Sequence, residues 1–176
     1  IHPPTMPMMR LAATAIDRIG RERVTIVDQI AAYGGSDLLC YRAASPAPLV
    51  ERQTQLWQPL LDWATEAHGA RLTVTHDITH VAQDPAALEP LRAVVEALDD
   101  YRLAAVSLLT PICGSLVIAL AVEAGHIAAQ EAMAASLLDE DWQIEKWGHD
   151  AEAAERRENV AREIADAVRF LDLLDQ

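Results

Sequence analysis

A mainly α-helical single domain with one small two-stranded β element is the fold class this sequence predicts, and three observations carry the prediction. Apolar residues recur at three- and four-residue spacing along most of the 176 residues, the period of a helix with one buried face. Gly, Pro and Asp interrupt those runs where helices start and stop. Only 37–42 and 71–75 carry the short, β-tolerant pattern of strands.

Pro7 opens an apolar-periodic run through Met8, Leu11, Ala12, Ala15, Ile16 and Ile19, with Gly20 as its expected stop. Val24, Val27, Ile30 and Ala31 repeat at helical spacing up to Tyr33, where Gly34 and Gly35 end the helix. Asp37 to Arg42 is the first strand candidate. The prolines of 45–48 set up a helix from about Leu49 to His68, with Leu49, Gln53, Leu56, Trp57, Leu60, Leu61 and Ala64 inward and Gly69 closing it. Pro59 lies inside that span and predicts a kink or two shorter helices, since proline removes a backbone donor and clashes with the preceding turn. Arg71 to Thr75 alternates and is β-branched, which makes it the second strand candidate.

Asp84-Pro85 is a helix start, Asp as N-cap and Pro at the first helical position, with Pro90 as a reason to move the start later. Leu88, Leu91, Val94, Val95 and Leu98 follow. Asp99 and Asp100 cap the next helix, which carries Leu103, Ala104, Val106, Leu108 and Leu109 and breaks near Pro111. Residues 116–124 continue as helix to Gly125, 127–138 form another, and Asp150 caps a last long one with Val160, Ile164, Ala167, Val168 and Leu171 inward. The whole span 1–176 is one helical domain, without linker or internal repeat.

Composition narrows the function. Twenty-seven Asp and Glu against fourteen Lys and Arg give a net charge of −13, and the hydrophobic share of 51% separates the chain from a disordered acidic tail. At a pI near 4.7 the chain repels the phosphate backbone that supplies most nucleic-acid affinity, so no nucleic-acid partner is expected. Thirteen of the fourteen basic residues are Arg; Lys146 is the exception. No apolar run is long enough for membrane insertion, because Ser107, Thr110, Pro111, Gly114 and Ser115 interrupt the most apolar stretch, 103–122. The N-terminus lacks the pattern of a signal peptide and lacks an initiator Met, so Ile1 is not expected to be the native start.

No catalytic constellation, cofactor cradle or metal set emerges. Cys40 and Cys113 stand far apart without zinc-type spacing and are read as buried small hydrophobes in a reducing compartment. His76-Asp77-Ile78-Thr79-His80 has the outline of a zinc-protease helix with Asp in place of Glu. The residues before it are β-like, Asp is one methylene short for the base role, and no third ligand stands out, so a turn after a strand is the better reading. A small hydrolase using Cys40 or the His76/His80 pair is the alternative from the enzyme class; an acidic helical adaptor is the other.

The tryptophans are more informative. Trp57 and Trp63 read as core. Trp142 and Trp147 lie in a segment whose three consecutive acids, Asp139, Glu140 and Asp141, are followed by Glu145. From 139 to 176 there are 12 acidic and 5 basic residues, a net −7. Acids and indoles together suggest a recognition surface for a partner with basic and exposed apolar groups.

Five motifs, in order, extend that reading: 6–17 (Met-Pro-Met-Met-Arg-Leu-Ala-Ala-Thr-Ala-Ile-Asp), 37–43 (Asp-Leu-Leu-Cys-Tyr-Arg-Ala), 57–64 (Trp-Gln-Pro-Leu-Leu-Asp-Trp-Ala), 114–117 (Gly-Ser-Leu-Val) and 139–148 (Asp-Glu-Asp-Trp-Gln-Ile-Glu-Lys-Trp-Gly). Together they resemble the ATP synthase assembly-chaperone family that serves the α subunit of the F1 sector. The resemblance implies a non-enzymatic chaperone that binds free α, shields the surface the β subunit later covers, and leaves when β docks. It implies a mainly helical region preceded by a β-rich N-terminal domain, which this chain is expected to lack. It places the protein in the cytoplasm of an α-proteobacterium, or in the mitochondrial matrix of a eukaryote, working as a monomer. A functionally important glutamate of the family falls in the acidic Trp motif, with Glu140 and Glu145 as the two candidates. The expected partner-binding residues are therefore Glu140, Glu145, Trp142, Trp147, Asp141 and Asp139, with Trp142 and Trp147 as apolar anchors.

Overall fold

The computed structural model describes residues 6–76, 79–148 and 151–176. Its elements are α1 (Pro7–Ala13), a π-helical turn (Thr14–Ile19), α2 (Gly20–Ala32), two 3-10 turns (Tyr33–Ser36 and Leu38–Cys40), α3 (Ala47–His68), α4 (Pro85–Ala97), α5 (Asp100–Cys113), α6 (Leu116–Glu123), α7 (Ala129–Ser136), α8 (Leu138–Trp147) and α9 (Ala151–Leu174).

Helix α6 is apolar all round, and residues 116–122 are all buried. Such a helix belongs in the middle of a helical protein. Helices α3, α5, α7 and α9 pack around it. Gly114 turns the chain from α5 into α6 at φ 65, a left-handed conformation that residues with a Cβ rarely adopt. The Ser115 hydroxyl then accepts from the Ile118 amide at 3.0 Å and caps α6.

Asp37 completes that cap from elsewhere in the chain. It is wholly buried; one carboxylate oxygen accepts from the Leu39 amide at 3.1 Å and the other from the Val117 amide at 3.1 Å. One side chain thus shapes the 3-10 turn and satisfies an orphan donor at the start of a buried helix. Burial outweighs hydrogen bonds from Ser115, Val117, Leu39 and Leu116 and pushes its carboxyl from 3.8 up to about 6. The N-termini of α4 and α5 are capped as expected, by Asp84 onto the Ala86 amide at 2.9 Å and by Asp99 onto the Tyr101 and Arg102 amides at 2.9 Å. Arg23 ties the junction between these helices: it pairs with Asp100 at 2.5 Å and donates to the carbonyls of Glu96 and Leu98.

The two-stranded β element is not formed; among the described residues there is no sheet. The segments meet at one isolated parallel bridge, Tyr41 with Thr75, where the Thr75 amide donates to the Cys40 carbonyl at 2.8 Å and the Arg42 amide to the Thr75 carbonyl at 2.9 Å. Side chains take the rest of the ladder. Asp37 curls 38–40 into a 3-10 turn, and Gln83 accepts from the Thr73 amide at 2.7 Å and donates to the Thr73 carbonyl at 2.8 Å, occupying both groups a neighbouring strand would use.

Three expected interruptions also differ. Gly20 does not stop the first helix: its φ is −58, and the chain runs through the π-helical turn into α2, with a local kink at Glu22. Pro59 does not divide α3, which continues for 22 residues; the carbonyl that loses its donor is that of Gln55, on the exposed side. Pro90 leaves the start of α4 at Pro85. Leu56, expected inward, is 39% exposed. The proposed cap of the last helix, Asp150, lies outside the described residues.

Replacing Asp37 by Ala leaves two buried amides without acceptors and is expected to cost about 2–4 kcal/mol at neutral pH, measured by urea denaturation. The folded chain holds the Asp37 proton more tightly than the unfolded chain does. The stabilisation through this group is therefore greatest below its ordinary value of 3.8 and declines as pH rises toward about 6. The wild-type advantage over Asp37→Ala should accordingly be larger at about pH 4.5 than at about pH 7.5; an advantage that grows with pH would contradict this assignment.

Candidate partner-binding surface

Helix α8 carries the six expected partner-binding residues, and the structure distributes them over different faces. Asp139 accepts from Gln53 Nε2 at 2.7 Å, while Gln53 Oε1 accepts from the Ala43 amide at 2.8 Å. Gln53 is 1% exposed, so this bridge fastens the start of α8 to α3 in a nearly dry setting. Asp141 pairs with Arg157 of α9. Glu145 takes both guanidinium nitrogens of Arg52 at 2.8 and 3.0 Å, and Arg52 beside it holds its carboxyl below the ordinary carboxylate value. Glu140 pairs with Arg156 of α9 at 2.9 Å.

The two indoles have opposite fates. Trp142 is 7% exposed, with the Arg52 guanidinium 5.2 Å and the Lys146 ammonium 4.8 Å from its ring centre. An exposed anchor at Trp142 is thus not present in the free chain; the ring packs inward because it shares a helix face with buried Leu138. Trp147 is 79% exposed at the end of α8. The other pair follows the core reading more closely. Trp57 is fully buried and donates from Nε1 to the Ala135 carbonyl at 2.9 Å, satisfying the C-terminal end of α7. Trp63 is half-buried between His126, stacked at 5.0 Å, and His68, edge-on at 5.0 Å.

Residues outside the motif's acids and indoles complete the surface. Gln143 and Ile144 of α8, with Ala153 and Arg156 of α9, line a hollow of about 550 Å³ together with Glu140 and Trp147. The spacing 140, 143, 144, 147 is a helical stripe and was legible once α8 was known to be a helix; Arg156 comes from another helix and had no local signal.

The residues considered for catalysis lie elsewhere. Cys40 and Cys113 are free and buried. Burial pushes the Cys40 thiol up to about 12, with the charge of Asp37 adding to it, and the Cys113 thiol up to about 11. Both stay protonated near neutral pH and are not activated nucleophiles. His76 Nδ1 lies 3.2 Å from the Ala43 carbonyl, and His80 Nδ1 lies 2.9 Å from the Tyr41 hydroxyl. Asp77 and Ile78 of that motif lie outside the described residues. No group of three potential metal ligands occurs among the described residues, and no helix among them is long and apolar enough to cross a membrane.

An exposed indole beside a groove with a charged rim, carried on a rigid helical body, is the equipment of a protein that binds another protein. Comparison with known proteins agrees. The profile of the ATP12 chaperone protein family matches residues 1–65. The chain superposes on the crystal structure of Atp12 from Paracoccus denitrificans with a TM-score of 0.94 at 40% identity, covering 98% of this chain and 74% of that one. An Asp→Lys variant of the Paracoccus protein gives 0.95 at 40% identity with the same coverage. A candidate chaperone from Agrobacterium tumefaciens gives 0.91 at 39% identity, covering 99% of this chain and 65% of that one. The chain belongs to the ATP12 chaperone family. That family and these neighbours are chaperones rather than enzymes, which removes the hydrolase alternative.

The two indoles of α8 should separate cleanly on mutation. Trp142→Ala is expected to cost about 3–5 kcal/mol in urea denaturation, the usual result of emptying a buried aromatic site. Trp147→Ala should leave the denaturation midpoint unchanged and remove the most water-exposed component of the tryptophan emission.

Proposed function

We propose that the chain is an assembly chaperone of ATP synthase that binds the free α subunit of the F1 sector, shields the surface later covered by the β subunit, and is released when α and β assemble. Membership of the ATP12 chaperone family carries this reading. The acidic Trp helix α8 supports it: a chaperone for an association-prone subunit needs an exposed apolar anchor on a strongly charged body, and Trp147 on a chain of net charge −13 supplies both.

In this reading α8 is the contact surface. Trp147 is the exposed anchor, Glu140 beside it in the groove and Glu145 at the edge of the helix, paired with Arg52, are the candidate charges for the client, and Asp139, Asp141 and Trp142 hold the helix in place for them. The protein acts as a monomer, without nucleotide. The cytoplasm is the compartment that suits the two bacterial sources of its structural relatives.

Co-purification with the separate F1 subunits tests the reading. Free α should be retained, free β should not, and addition of β to the chaperone–α complex should release α. Retention of β in preference to α, or of neither, would sink it. Glu140→Lys and Glu145→Lys should weaken capture of α while lowering the melting temperature only slightly, because the surface pairs they break, with Arg156 and Arg52, are each worth about 0–1 kcal/mol.

A further inference from the structure

We propose that the groove between α8 and α9 takes a client segment presenting an apolar side chain next to an arginine or lysine, and that Arg156 is the chain's own stand-in for that cation; this deepens the function proposed above and rests on it. Glu140, Gln143, Ile144 and Trp147 stand at i, i+3, i+4 and i+7, so they form one stripe along α8. The half-buried Ile144 and the exposed Trp147 give the groove an apolar floor and a free aromatic wall.

The charged end of the groove is closed by the pair Glu140–Arg156, in which the arginine side chain is 68% exposed and the glutamate 34%. The guanidinium is the more exposed partner, and an ion pair at such a surface contributes only about 0–1 kcal/mol and is easily exchanged. A second hollow of about 330 Å³ shares Arg156 and is bordered by Glu152 and Glu155. Neither of these acids forms an ion pair among the described residues. A cation that displaces Arg156 from Glu140 therefore takes over its carboxylate, on a stretch of net charge −7 from 139 to 176, whereas an acidic segment is repelled. Asp139, Asp141 and Glu145 are already held by Gln53, Arg157 and Arg52. Of the two candidate glutamates, Glu140 is the one that faces the groove.

Exchange of one arginine for another makes the electrostatic gain of binding small, so affinity comes mainly from covering Trp147 and Ile144. That arrangement holds a client firmly enough to shield it and loosely enough to give it up.

The experiment compares wild type with Arg156→Ala, Glu140→Gln and Trp147→Ala in binding to the purified free α subunit, with a thermal melt for each. Removing Arg156 uncovers Glu140 and should tighten binding about three- to tenfold. Trp147→Ala should weaken it by about tenfold or more, and Glu140→Gln should weaken it too, all with unchanged melting. If wild type holds α but Arg156→Ala binds no tighter and Trp147→Ala no weaker, the groove assignment is overturned and the chaperone function stands. If wild type does not hold α, that function falls, and a second measurement decides the groove. A short helical peptide carrying Leu and Arg on one face is titrated against its Leu and Glu counterpart, following tryptophan emission. A saturable change with the Arg peptide alone, lost in Trp147→Ala and strengthened in Arg156→Ala, supports the groove; an equal response to both peptides overturns it.

Discussion

An eight-residue helix with no polar face cannot sit at a surface, and the burial of α6 is the constraint on which the rest of the fold depends. Residues 116–122 are all buried, so the first turn of α6 cannot rely on water for its free amides. Ser115 and Asp37 accept those bonds instead. Asp37 is reached only because the 3-10 turn at 38–40 lies against the α5–α6 junction, where the Leu38 amide donates to the Gly114 carbonyl at 3.0 Å. A short loop that would otherwise be incidental is thereby locked into the centre of the protein. The same lock keeps 37–42 from becoming a strand, since the carboxylate that caps α6 also curls the loop.

Polar fastening of a different kind sets α8. Its acids are not a free negative field, because Gln53, Arg52, Arg157 and Arg156 meet them from α3 and α9. Three of these contacts lie on faces that bring Trp142 inward under Arg52 and Lys146. The fourth lies at the rim of a groove whose opposite end is Trp147. A helix fastened on two sides presents its remaining stripe in a fixed orientation, and a preorganised surface of that kind loses little entropy on binding. The groove proposed above gives this surface a purpose: a client would be held at an indole, beside a charge that can be exchanged.

Much of the helical plan was legible in the sequence because its signals are local. Asp84 before Pro85, Asp99 at the head of α5, Gly69 at the end of α3, and the buried stripe Val160, Ile164, Ala167 and Leu171 all follow from spacing and backbone preference. The misreadings were also local signals, overruled from a distance or by solvent. Pro59 does not end the helix, and the carbonyl it orphans belongs to the exposed residue Gln55. The alternation at 71–75 makes no strand, because the side chain of Gln83 takes the bonds of Thr73.

The candidate site divides in the same way. The sequence by itself determined that this is an acidic, helical chain and that acids and indoles converge in 139–148, and its charge made a nucleic-acid partner unexpected. Those conclusions need only composition, periodicity and neighbours along the chain. The tertiary structure alone decided that Trp142 is packed and Trp147 free, and that Arg52, Arg156 and Arg157 partner the acids. Arg52 lies 93 residues from Glu145 along the chain, and no local pattern can encode which of thirteen arginines a given carboxylate will meet. Burial and pairing depend on what the fold brings across the gap between helices, and that is a property of the packed molecule.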